Sequence, residues 1–587
     1  DVEVNELRNL YFGDRHVHTR LAVDAYVLGT LTTADEAYSF AQGQTIKKMN
    51  TNVKLIRPLD FCAVTDHAEA LGEMFTVQTP GVEGYNSFFS KMIRSIYDPE
   101  TESGIDSAKQ QRIVDWGSKR LRKGKELYHS VLFKGYETTK SAWMINLEAA
   151  DKHYKPAEFT TFAGYEWTWG GGAKHMHRNL IFRDMIVPDY PMSAIELTSE
   201  EELWHWLTDI SDSGATVLAI PHNSNLSDGG TFPDLDSKGQ PLDSAYAQLR
   251  QNFEPLIEVH QEKGNSEVHA PFWKNDEFAG FENLPHSHRT KKNNYVRNAL
   301  KRGLEHEEHI GINPFKYGMI GSTDNHEGLP GNTEENNYGA EGSEAWNKAK
   351  KRRNDGWELD PEIKVYRIQN PGGLVAVWAK ANTRGYIYDA LKRRECYATS
   401  GNRIQLRFFG GSGFKGNYKT HEQMLADGYD KGSPMGSDIV LKEGQIPEFL
   451  VWAKKDTAWA ALDRIQIIKG WFAHGQLHEK VFNVAVSDGR ILNEDGSVAD
   501  NGANVDLETG KHSEDKGDTE LSVVWKDPDF DKDSRAFYYV RVLEIPTASW
   551  RLWDKIRFGI EYPDDAELTV RERAWSSPIW YVPPVGQ

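Results

Sequence analysis

Cysteine is nearly absent from this sequence. Its 587 residues hold two, Cys62 and Cys396, which excludes a disulfide framework and a thiolate zinc site. Cys62 lies in an apolar run and reads as a small buried hydrophobe. Long apolar runs are missing too. No stretch approaches the roughly 18 uninterrupted apolar residues of a membrane-spanning helix. Positive charge is also in deficit: 69 Lys and Arg stand against 87 Asp and Glu, for a net charge of −18. So acidic a surface disfavours non-specific nucleic-acid binding. It leaves room for a small anionic substrate, because bound metals invert the local field. There is no internal repeat and no low-complexity tract.

What is present suits a soluble, folded chain: 39% hydrophobic and 27% charged residues. The length predicts two or more domains. The chain begins at Asp1 rather than at methionine. Together with the few cysteines, this is read as a mature exported bacterial protein, periplasmic or secreted, with a cytoplasmic location as the alternative.

Several segments share one grammar, an apolar β-branched run ending in an ionisable cluster. They are "LYFGDRHVH" (10–18), "DFCAVTDHAE" (60–69), "FTTFAGYEWT" (159–168), "ATVLAIPHNSN" (215–225), "PLIEVHQEKG" (255–264) and "YGMIGSTDNHE" (317–327). Helix-like stretches separate them. Alternating strands and helices predict an α/β fold with a parallel sheet or barrel, its functional groups at the carboxyl ends of the strands. Residues 80–157 read as a mostly helical insertion over the site. Residues 329–360 read as a long loop near it. After about residue 400 the pattern changes to short alternating strands, "RIQLRFF", "EFLVWAKK", "AFYYVRVLEI" and others. This predicts a β-rich, sandwich-like domain over 401–587 behind a first domain over 1–400.

The candidate ligands at the strand ends are His16, His18, Asp24, Asp66, His67, Glu166, His177, His222, Asp324 and His326. Imidazole with carboxylate, and no thiolate, suits manganese, zinc or iron. In an extended strand His16 and His18 point to one side, so both rings reach one ion. Asp324-x-His326 repeats that geometry. Each motif alone has an ordinary alternative: H-x-H as a surface pair, Asp66 or Thr65 as a helix cap, Glu166 as a buried paired acid. Their conjunction points to a polynuclear metal site. His175 lies two residues before His177, and either could be the ligand; His177, nearer the apolar run, is preferred. His306 and His309, three apart, lack the four-residue spacing of a zinc peptidase helix.

At these residues the chain resembles the polymerase-and-histidinol-phosphatase (PHP) superfamily of metal-dependent phosphoesterases. The order is H-x-H (16, 18), T-D-H (65–67), a central Glu (166), two isolated His (177, 222) and D-x-H (324, 326). It resembles most the DUF3604 branch, through "YFGDRHVHT", "VTDHAE", "GYEWT", "PHNSNLSDG", "EVHQEKGNSE", "IGSTDNHEG", "YATSGNRI" and "RERAWSSPIWY". The resemblance implies a distorted (β/α)7 barrel with two or three divalent metals. It implies one metal on His16, His18, Glu166 and Asp324, and a second on Asp24, His67 and His326. A third would lie on His177 and His222, with Glu166 bridging. Asp24 is a departure, since many superfamily members carry histidine there; a carboxylate favours a harder ion such as manganese. Arg15 is another departure, expected either to turn away or to meet substrate.

The implied activity is that of a phosphatase or phosphodiesterase using a metal-activated hydroxide on a small anionic ester. Arg178 and Lys263 are the candidate cations for transition-state charge. Asn223, Asn225 and Gln261 are candidates to orient substrate. The same site could cleave an amide, carboxylic ester or sulfate ester, or persist in a non-catalytic binding protein. Oligomeric state is left open.

Overall fold

The computed structural model describes residues 2–48, 51–82, 84–94, 135–170, 174–338, 350–354, 356–357 and 360–584. The strands that position the site are, in chain order, β1 (Asn9–Asp14), β2 (Phe61–Ala63), β3 (Thr160–Phe162), β4 (Gly164–Trp169), β5 (Met176–Phe182), β6 (Val217–His222), β7 (Leu256–Gln261) and β8 (Gly318–Gly321). Several are apolar throughout. Val217 to Ile220 in β6 and Leu256 and Ile257 in β7 are all buried, as expected of strands covered on both faces.

Parallel pairing links β1 to β2, β2 to β3, and β7 to β8. The remaining strands depart from the parallel sheet that alternation predicts: β4, β5 and β6 form an antiparallel meander. For β4 and β5 the physical reason is connection length; β5 and β6 pair antiparallel across a longer link that carries the helix Glu200–Asp212. Between Trp169 and Met176 there is no room for a crossover helix, which takes about a dozen residues or more, so the chain must return as a hairpin. The mixed α/β class therefore holds, with large sheets of both pairing types.

The later strands are β9 (Leu374–Ala379), β10 (Cys396–Thr399), β11 (Gln405–Gly411), β12 (Glu448–Lys454), β13 (Leu462–Ala473), β14 (Gln476–Val486), β15 (Glu520–Lys526), β16 (Arg535–Glu544) and β17 (Arg573–Ser576). One sheet runs β14-β13-β16-β17-β10-β9-β1-β2-β3. The boundary read near residue 400 thus falls between strands of a continuous sheet: β10 pairs with β17 on its far side and with β9 on its near side.

This sheet is covered on both faces, and its residues alternate accordingly. Ile467 and Tyr538 face a second sheet of β11, β12 and β15, sharing a core with Phe408, Phe449 and Val451. Ile468, Phe537 and Tyr539 face the other way, onto Val259, Leu300 and Leu304. A buried ion network crosses the same interface. Arg297 lies 2.6 Å from Glu267 and 2.8 Å from Asp276, and Arg541 lies 2.6 Å from Asp276. The sandwich-like packing of the C-terminal strands is present, but one of its two layers also backs the metal-ligand half.

Of the insertion read over 80–157, residues 95–134 lie outside the described residues, as do 339–349 of the long loop. The helix Gly135–His153 packs inward. Asn146 Nδ2 donates to the Val64 and Gly164 carbonyls, and Trp143 meets Tyr165 edge-on. Among the described residues no helix is long and apolar enough to cross a membrane.

Candidate metal centre

β1 ends at Asp14 and the chain stays extended beyond it. Val17 bridges Asn325 in parallel, and His18 N donates to the Asn325 carbonyl at 2.8 Å. Pairing on both sides fixes alternation, so His16 and His18 share a side and Val17 turns into the core, fully buried. The partner segment carries Asp324, held at φ 57, in the left-handed region that Asp and Asn tolerate better than most residues. Glu166 enters from β4. On β5 and β6, His177 and His222 are directly opposed. His177 stands at the start of its strand rather than the end. In an antiparallel hairpin, that start lies at the same sheet edge as the end of β4, where Thr168 pairs with His177.

The carboxylate of Glu166 faces two groups at once. Oε2 lies 3.0 Å from His16 Nε2 and 3.3 Å from His18 Nε2. Oε1 lies 2.8 Å from His177 Nδ1, 3.2 Å from His222 Nε2 and 3.3 Å from His67 Nδ1. Asp324 Oδ1 completes the first group, 3.1 Å from His16 Nε2 and 3.2 Å from His18 Nε2. A third group joins His18, His67 and His326. Asp24 Oδ2 lies 3.0 Å from His67 Nε2 and 3.1 Å from His326 Nε2. Asp24 is the open side, its side chain 43% exposed, whereas those of His16, His18 and His222 are fully buried.

These separations test whether an ion fits. Ligands about 2.1 Å from one metal stand roughly 3.0 to 3.4 Å apart at octahedral and tetrahedral angles. Hydrogen bonds join His16 to Glu166 and join His67 and His326 to Asp24, but they do not account for His18 and His222. Neither ring nitrogen of His18, nor of His222, has an aligned hydrogen-bond partner among the described residues, although carboxylate oxygens lie beside them. Buried polar atoms left in that way are costly. Lone pairs converging on a cation explain both observations.

The acids make the site strongly cation-seeking: burial opposes protonation of His16, His67 and His326, yet Asp324 for His16 and Asp24 for His67 raise those rings well above the usual histidine range, and Asp24 raises His326 to about 10. Burial opposes ionisation of Glu166, but His67 and then His222 hold it well below the usual carboxylate range. Burial likewise opposes ionisation of Asp324, which His16 and then Lys263 keep well below its usual value. Burial pushes His222 down to about 4, with the charge of His16 adding to it, so its ring is neutral and able to ligate. His177 is lowered by burial as well.

The other expected residues fall differently. Asp66 turns to the backbone: its carboxylate accepts from Thr19 N at 2.5 Å and Thr19 Oγ1 at 2.7 Å, and it joins none of the ligand groups. Lys263 does enter the site. Its ammonium pairs with Asp324 Oδ2 and lies 3.5 Å from Glu262. Asn223, Asn225 and Gln261 hold the loop that carries it. Gln261 donates to Asn223 and accepts from Lys263 N at 2.5 Å, and Asn225 Nδ2 donates to the Lys263 carbonyl at 3.1 Å. His175 lies beside His177, ring centroids 4.9 Å apart. Burial holds it well below the usual histidine range.

Arg178 points away from the ligands. It is adjacent to His177 on a strand, so it takes the opposite face, where it is fully buried 2.6 Å from Glu200 and 3.0 Å from Glu254. A transition-state role does not fit that placement. Arg178→Met should lower stability by about 3–5 kcal/mol, because the buried Glu200 and Glu254 would then share a single cation, Arg250. Denaturant melts would measure this, and metal content per folded molecule should be unchanged.

Glu258 was not legible as a site residue. Both its oxygens lie 3.2 Å from His16 Nδ1, and Oε2 also lies 3.1 Å from Arg15 Nη2. It fixes the ring that presents Nε2 to the cluster, as a second carboxylate behind a ligating histidine does. Arg15 thus turns away from the mouth. The available signal was an acid inside the apolar run "PLIEVH".

Residues 5–583 match a family model described as "Protein of unknown function (DUF3604)". No curated protein matches. Among solved structures, the chain is similar to a two-domain protein from Bacteroides vulgatus containing a predicted PHP-like metal-dependent phosphoesterase. Identity is 11%, the match covers 92% of this chain and 93% of that one, and the TM-score is 0.32.

Proposed function

The chain belongs to the DUF3604 family, whose description assigns no activity, and from its site we propose a metal-dependent phosphoester hydrolase on a distorted PHP-type barrel. One observation carries the reading. Glu166 presents one oxygen to His16, His18 and the Asp324 group, and the other to His177 and His222, the arrangement of a bridging carboxylate between two ions. His16, His18, Glu166 and Asp324 would hold one divalent ion and Glu166, His177 and His222 another. His67 and His326, with His18 and Asp24 to hand, would hold a third. Asp24 in place of an imidazole favours a hard ion such as manganese. When bound, such ions supply an activated water and neutralise developing charge.

The chain's own groups set substrate class. Four carboxylates, Asp24, Glu166, Glu262 and Asp324, stand at the site against the ammonium of Lys263, which pairs with Asp324 and Glu262. Two or three divalent ions outweigh that deficit and leave the mouth positive, suited to an anionic ester. Lys263, anchored by Asp324, adds a fixed positive charge beside it. The buried histidines keep bulk water out, and the exposed Asp24 marks the way in.

Metal analysis of the purified protein, then a panel of phosphomonoesters, phosphodiesters, sulfate esters and carboxylic esters with and without chelator, tests this. We expect two or three ions per chain and chelator-sensitive phosphoester turnover that His16→Ala abolishes. Absence of bound metal would sink the proposal, and turnover of only sulfate or carboxylic esters would replace its substrate class.

A further inference from the structure

Apart from the ligand groups, a cavity of about 240 Å³ opens between the segment after β7, the stretch around Tyr366 and the C-terminal residues 551–567. Glu282, Tyr366, Arg367, Arg551, Asp565 and Glu567 are among its walls. Arg367 and Asp565 pair with each other. Arg551 and Glu282 form a looser ion pair that leaves hydrogen-bonding capacity on both.

Arg551 is 4% exposed. Its Nε donates to the Tyr366 carbonyl at 2.8 Å, and its guanidinium rests over Trp550. Nη2 reaches the Gln369 carbonyl at 3.4 Å, while Nη1 has no acceptor among the described residues. Across from it, the Glu282 side chain is 9% exposed and 3.7 Å from Arg551. No described residue donates a hydrogen bond to its carboxylate. Its backbone is held at φ 42, a left-handed conformation unusual for glutamate, with its carbonyl accepting from Asn265 N at 2.9 Å. Strain of that kind persists where the surroundings impose it, and it gathers at binding sites. The acidic wall also carries surplus negative potential. Burial, then Glu282, raises Glu567; burial, then Glu572 and Glu282, holds Glu335 well above the carboxylate range.

A nearly buried carboxylate and a nearly buried guanidinium, each with unused hydrogen-bonding capacity, thus face one small space. We propose that this cavity is a second binding site, for a small zwitterion of the α-amino-acid class. The ligand ammonium sits between Glu282 and Glu567, and the ligand carboxylate takes the free Nη1 of Arg551, a charge-assisted bond. The volume lies below the roughly 300–1,000 Å³ of pockets for drug-sized ligands, which limits the occupant to a small metabolite. None of these residues belongs to a metal-ligand group, so the site stands whether or not the centre hydrolyses phosphoesters.

Titration calorimetry on the full chain as purified tests it. The probes are glycine, alanine, glutamate and lysine, with acetate and methylammonium as monofunctional controls. At least one amino acid should bind ten-fold or more tightly than either control. Glu282→Gln, nearly isosteric, should weaken that binding at least ten-fold with an unchanged thermal melt. Arg551→Lys, which keeps the charge but loses the fork, should weaken it too. No binding by any amino acid, acetate binding as tightly as the amino acids, or wild-type affinity in Glu282→Gln would each overturn the proposal.

Discussion

Glu166→Gln should empty the centre of most of its metal and cut kcat/KM by more than about 100-fold, beyond the loss typical of an outer partner of a metal ligand. Size and shape are nearly conserved, so the effect isolates charge and donor type. Five imidazole nitrogens lie within 3.3 Å of this one carboxylate. An amide offers one oxygen, and its NH2 would point at nitrogen atoms that are themselves arranged to donate lone pairs. One of the two groups that share Glu166 therefore loses its shared oxygen whichever way the amide turns, and both lose its negative charge, leaving Asp324 as the carboxylate of the His16 and His18 group. Metal content by elemental analysis should fall together with activity. A variant that keeps full metal content would remove Glu166 from the bridging position.

The second large effect is at Glu258. Glu258→Ala leaves Arg15 as a buried cation without a carboxylate partner, since the two side chains are 1% and 0% exposed. Stranding one half of a buried pair costs about 3–5 kcal/mol. The same substitution frees the His16 ring, with an expected loss of about 10–100-fold in metal affinity. Pairing the change with Arg15→Met separates the two contributions. The double variant should recover much of the stability, because no unpaired charge remains, but none of the metal affinity. Denaturant melts and chelator competition read the two quantities independently. Recovery of both would mean that Glu258 serves only Arg15.

The ligand motifs were legible because each joins a chemical type to a strand end. His16-x-His18 and Asp324-x-His326 needed only alternation. The grouping of those residues was not legible from spacing, and rested on family resemblance. Glu258 escaped because its partner is 242 positions away, and a single acid within an apolar run has many uses. Arg178 is next to His177 in sequence but not in the site, because strand neighbours face opposite ways. In the fold, the change of pattern near residue 400 falls inside one continuous sheet. Its meaning was hidden, since sheet order depends on pairings such as β10 with β17 that local pattern does not encode. The hairpin between Trp169 and Met176 follows from the short distance between those residues rather than from the apolar runs.

That hairpin makes strand register a chemical specification. His177 faces the Glu166 carboxylate and Arg178 the core only because Glu166 pairs with Asn179 and His177 with His222. A slip of one residue flips every side chain of β5. It would drive a guanidinium toward a cluster built for cations and drop a neutral ring between Glu200 and Glu254. The ion pairs of Arg178 therefore act as a key that fits one frame only, so the wrong frame is penalised on both faces of the sheet before any metal arrives.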